Sequence, residues 1–121
     1  MPVPTKEKQK AVITRVVKEV KNYLGEKLDK IILFGSYARG DYDEHSDIDI
    51  MVLADIEPDE TPKYRNGIFE ISHNIGFKND ILVSLMIKSS KFFNANLQTL
   101  GFYKNIIREG KLLYGFDGKR S

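Results

Sequence analysis

The sequence predicts a single α/β or α+β domain, and three observations carry the prediction. Three short apolar runs, "KIILF" (Lys30 to Phe34), "DIDIMVLA" (Asp47 to Ala54) and "DILVSLMI" (Asp80 to Ile87), read as strands. They alternate with segments whose apolar residues recur at helical spacing. The 121 residues suffice for one core, and neither an internal repeat nor a dividing linker interrupts them. Residues 1–121 are therefore expected to form one domain, with a flexible tail from about residue 115 to 121.

The elements follow in order. From Thr5 to Leu24, the residues Ile13, Val16, Val17, Val20 and Leu24 mark an amphipathic helix that Gly25 stops. Its Lys8, Lys10, Lys18 and Lys21 read as a wet outer face. The first strand ends at Gly35 and Ser36. After the second strand, "EPDETP" is a loop in which Thr61-Pro62 prepares a helix start. Tyr64, Ile68, Ile71 and Ile75 then mark a helix expected to close at Gly76, with His73 off the stripe and exposed. The third strand follows. A last helix is expected over Leu97 to Glu109, with Phe102, Tyr103, Ile106 and Ile107 as its apolar residues, before "KLLY" returns as an edge strand.

Composition narrows the function classes. With 41% apolar and 30% charged residues the chain is of ordinary globular type. Cysteine is absent, which excludes disulfides and thiolate zinc sites and fits a reducing cytoplasm. No stretch reaches the apolar length of a membrane span, and the start lacks a signal-peptide core. The net charge of +2 is uninformative, but its distribution is not. Residues 1–30 hold eight Lys or Arg against four acids, whereas Asp41 to Pro62 holds nine acids and no Lys or Arg.

That acidic stretch runs into a strand, where carboxylates are costly unless a cation pairs with them. Asp47 and Asp49 alternate with Ile48 and Ile50, so the two carboxylates share one face. Hard oxygen ligands of this kind suit magnesium or manganese, with substrate phosphates completing the shell. Two such ions would clamp an in-line phosphoryl or nucleotidyl displacement. Gly35 lets the backbone approach a phosphate, and a helix starting beyond it would aim free N–H groups at the anion. Ser36 can donate its hydroxyl to a phosphate oxygen, and Arg39 in the next turn can add a charged fork. Arg39 also reads as an exposed partner of Asp41 or Glu44. Tyr37 and Tyr42 either line the nucleotide site or cover the helix.

Gly35-Ser36, ten residues, then Asp47-Ile48-Asp49 forms a G-S-x10-D-x-D signature with strand context at both ends. Through "ILFGSYARGDYDEHSDIDIMV", and less diagnostically "FYKNIIREGKLLYG", the chain resembles the DNA polymerase β-like nucleotidyltransferase superfamily. Within it, the chain looks like the minimal nucleotidyltransferases of antitoxin type. The resemblance implies a mixed sheet flanked by helices, with ATP and magnesium between the Gly-Ser turn and the acidic strand. Carried over, Gly35 and Ser36 hold the triphosphate while Asp47 and Asp49 bind the metals. The family also uses a third carboxylate on a later strand, for which Asp80 is the candidate. Its other reading is a cap or strand-start aspartate, and Ser84, the same-face residue deeper in the strand, cannot replace a carboxylate.

The implied function is transfer of AMP from ATP to a hydroxyl, namely a tyrosine of a small helical HEPN-type toxin (higher eukaryotes and prokaryotes nucleotide-binding). Three rivals stand beside it. One is a binding module of the same fold that has lost catalysis and masks its partner. Another modifies a small hydroxylated molecule such as an aminoglycoside, using a homo-oligomer to build the recognition surface. A nucleic-acid binder using the first helix is disfavoured by the interleaved Glu7 and Glu19.

Overall fold

The computed structural model describes residues 3–115. The expected tail, beyond Gly115, lies outside the described residues. Nine main elements run in the order α1 (Lys6–Leu24), β1 (Leu28–Phe34), α2 (Ser36–Arg39), β2 (Ile48–Ala54), α3 (Thr61–Asn79), β3 (Val83–Ser89), α4 (Ser90–Ala95), α5 (Gly101–Glu109) and β4 (Lys111–Tyr114). The strands form one mixed sheet in the order β3-β2-β1-β4. β1 is antiparallel to both β2 and β4, and β2 is parallel to β3.

Side-chain alternation sends two cores to opposite faces of this sheet. On one face Ile31, Leu33, Ile48, Ile50 and Val52 meet Val12, Val16 and Val20 of α1 and Ile68 and Ile75 of α3. On the other, Ile32, Phe34, Met51 and Leu53 meet Phe93 of α4 and Tyr103 and Ile106 of α5. The central strands are apolar on both faces because both faces are covered, so they read as continuous apolar runs. The first helix starts where Thr5 caps it by accepting from the Lys8 N–H at 3.1 Å. Lys10, Lys18 and Lys21 lie on its exposed side.

Three expected boundaries are corrected. α3 does not close at Gly76 but runs to Asn79, and its cap is Asp80 in the left-handed conformation (φ 56°, ψ 44°). Gly76 serves packing instead: the Ile81 N–H donates to its carbonyl at 3.1 Å, and a Cβ there would meet the Ile81 carbonyl oxygen at 2.7 Å. The third strand is therefore Val83–Ser89, and Asp80 stands on the turn before it. The last helix begins at Gly101, and the unexpected helix α4 precedes it. Ser89 nucleates α4: its buried hydroxyl accepts from the Phe92 N–H and donates to the Ile56 carbonyl at 2.8 Å.

Candidate active site

The site is built at the join of β1, α2 and β2. In the antiparallel register Phe34 stands opposite Asp49, so the residue after Phe34 passes directly over the Asp49 side chain. That residue is Gly35, with φ 75° and ψ −158°, a region open almost only to glycine. A Cβ at Gly35 would overlap Asp49 Oδ2, so glycine is required by both backbone and space. The chain then turns at once into α2, whose start at Ser36 has no side-chain cap. The Ala38 and Arg39 N–H groups both donate back to the Gly35 carbonyl, each at 3.1 Å, so those of Ser36 and Tyr37 are the ones open to a ligand. Ser36 itself is partly exposed.

Asp49 is half-buried, and its carboxyl is held above the ordinary carboxylate range. Desolvation is the main cause, the Asp47 carboxylate adds to it, and Arg39 opposes both. Asp47, just before β2, acts on Asp49, within it, and the Gly35 turn passes over Asp49. The Arg39 guanidinium is largely committed: it pairs with Asp41 at 3.2 Å and with Glu109 at 3.6 Å. Both pairs are partly exposed, and the Arg39 charge still reaches Asp49.

The Asp47–Asp49 pair fits a hard divalent cation. It offers only oxygen donors, one of them desolvated, and its like charges are incompletely offset. Among the described residues, no group of three or more His, Asp or Glu side chains converges on a common point. Parallel pairing places Ser84 beside Asp49, while the Ile48 N–H donates to the Leu82 carbonyl at 2.9 Å. Asp80 instead lines a cavity on the α3 side, together with Ser46 and Leu82.

Tyr37 and Tyr42 stack face to face, with centroids 4.4 Å apart and planes 4° from parallel. Tyr37 is buried and Tyr42 accepts from Gln9 Nε2 at 3.2 Å, so the pair ties the loop after α2 to α1. Sequence reasoning missed a row on α3: Phe69, His73 and Phe77, four residues apart, stack along the exposed side of the helix. The i, i+4, i+8 spacing was the available signal.

Comparison with known proteins supplies the family. The family Polymerase beta, Nucleotidyltransferase matches residues 16–119. The chain is 35% identical over 104 residues to "Putative protein adenylyltransferase MJ0604" of Methanocaldococcus jannaschii, covering 83% of this chain and 96% of the relative. A crystal structure described as a toxin-antitoxin with AMP-PNP superposes with a TM-score of 0.56 at 25% identity, over 85% of this chain and 73% of that one. The spectinomycin adenyltransferase AAD(9) from Enterococcus faecialis, crystallised with ATP and spectinomycin, shares the fold at a TM-score of 0.60. At 19% identity, over 88% of this chain and 56% of that one, its likeness extends to the fold alone. Among the described residues no helix is long and apolar enough to cross a membrane. The match over residues 16–119 and the 35% identical relative place this chain, with its glycine-serine turn closed over Asp49, in the polymerase beta nucleotidyltransferase family, and it is a nucleotidyltransferase.

Proposed function

We propose that the chain transfers AMP from ATP to a hydroxyl on a partner protein, acting as the antitoxin toward a small helical HEPN-type toxin whose tyrosine is the acceptor. The observation that carries the reading is the Asp49 carboxylate, desolvated against Gly35 and beside Asp47, at the mouth of an uncapped helix start. Support for a protein acceptor comes from the adenylyltransferase relative, and for the partner class from the toxin-antitoxin structure that contains an ATP analogue.

In the reaction the acceptor oxygen attacks the α-phosphorus and the bond to the β-phosphate oxygen breaks. Pyrophosphate leaves, and the acceptor proton passes to solvent or to a nearby base. Gly35 keeps the backbone close enough for the Ser36 and Tyr37 N–H groups to meet the triphosphate, and the Ser36 hydroxyl donates to it. Asp47 and Asp49 would hold magnesium or manganese, which supplies charge neutralisation at the triphosphate when bound. Arg39 adds positive charge that reaches Asp49. The chain's main contribution is alignment and fixed electrostatics. Asp80, the cap of α3, takes no part in this step unless the turn before β3 shifts toward the pair.

The test is transfer of label from ATP tagged at its α-phosphate, with magnesium, onto the protein encoded beside this one. Label on that protein is expected with the native chain and is absent with Asp47→Ala/Asp49→Ala. A stable complex that never takes label would instead assign the chain as a masking module.

A further inference from the structure

Around the Ser46 side of the site, the surface changes character. Phe69 and Phe77 of α3 are 65% and 83% exposed, and Leu82, just before β3, is 69% exposed. His73 bridges the two phenyl rings, with centroids 5.8 Å from Phe69 and 6.5 Å from Phe77. These four residues line a cavity of about 820 Å³ whose remaining wall includes Glu44 and Ser46. The row is not needed for the core, because α3 buries its opposite side through Ile68 and Ile75. A contiguous apolar surface of this kind on a small domain marks an interaction site.

Its position and its charge select the occupant. Ser46 immediately precedes Asp47, so the cavity stands at the same end of β2 as the acidic pair, on the α3 side of the sheet. Of the side chains lining the cavity, Glu44 and Asp80 are formally charged and neither Lys nor Arg is present. The neighbouring loop adds Asp43. We infer that this cavity docks the acceptor protein through an apolar or aromatic side chain on a segment flanked by Lys or Arg. This rests on the reading of a protein acceptor given above. A hydroxyl-rich small molecule would leave the apolar wall unfilled, whereas a basic amphipathic segment satisfies both wall and rim.

The experiment uses the full chain with Phe69→Ser/Phe77→Ser, and separately Glu44→Lys. Calorimetric titration with the protein encoded beside this one is read alongside ATP titration and label transfer. Both rings are exposed, so the double variant should keep its circular dichroism spectrum and thermal midpoint. The affinity for the partner protein is expected to fall at least about tenfold in each variant, with ATP affinity unchanged. If the native chain binds the partner and the variants lose binding, docking stands even where no label is transferred, and only the catalytic reading fails. Unchanged partner affinity in the double variant would overturn the inference. So would a native dimer that the double variant converts to a monomer, since that assigns the row to a second copy.

Discussion

Asp49, Met51 and Leu53 leave β2 toward the same side of the sheet, yet they meet opposite fates. Met51 and Leu53 are sealed under Phe93, Tyr103 and Ile106, with 0% and 2% of their surfaces exposed. Asp49 lies past the end of that cover, half-buried beside Ser84 and under the Gly35 turn. One strand face thus serves as a dry core at one end and as a charged site at the other. The boundary falls between residues 49 and 51. Burial favours Met51 because nothing on it needs water. The same burial works against Asp49, whose charged form it disfavours.

Substitutions at the two ends should therefore separate activity from stability. The largest effect is expected at the charged end: Asp49→Ala should lower labelled-AMP transfer by at least about 10⁴-fold, over 5 kcal/mol of transition-state stabilisation, with the fold intact. A variant that kept a tenth of native activity would dissolve the distinction between the ends. Next comes the sealed end, where Phe93→Ala should cost about 3–4 kcal/mol in urea unfolding while the turnover of folded molecules stays near native. Gly35→Ala couples the two. Its backbone conformation and the overlap with Asp49 Oδ2 should cost about 2–3 kcal/mol and also weaken ATP binding, measured by titration.

The smallest effect has the opposite sign. A carboxyl whose folded pKa is raised weakens the fold wherever it is ionised, and that penalty fades as the pH falls through the raised value. Without divalent cations, Asp49→Asn should then melt about 2–4 °C above the native chain at pH 7. The gap should shrink as the pH falls through the raised value, where the native carboxyl takes up its proton. An equal or lower melting point at neutral pH would show that Asp49 carries no desolvation penalty.

Legibility in the sequence followed locality. The Gly35-Ser36 turn, the Asp47–Asp49 pair and their strands were readable because period-two alternation and continuous apolar runs are properties of neighbouring residues. The family and the mixed sheet followed from that one stretch. The end of α3 was not readable, because Gly76 looks like a stop signal. Its role depends on Ile81 folding back against it, which only the tertiary path reveals. Of the readings of Asp80, the cap is the one realised, and the strand start is not, because a left-handed cap has no apolar period to mark it. Helix α4 hid in "SSKFFNA", where the Ser89 cap depends on a bond to the distant Ile56 carbonyl. The Phe69–His73–Phe77 row was visible in principle, but it lay off the stripe that predicted the buried side of the helix.

The antiparallel pairing of β1 with β2 has a consequence for how the molecule forms. The two strands close a loop of only residues 35–47, and that loop carries the glycine turn and the first aspartate. Bringing β4 onto β1 instead spans residues 35–110, a loop about six times longer, which costs about 1.5 kcal/mol more in chain entropy. During folding, or as the chain emerges from a ribosome, the hairpin is thus the piece that needs least of the rest. The reactive end of this protein is its most local structure, and the helices that seal the other end arrive to fix a geometry already drawn by one short stretch of chain.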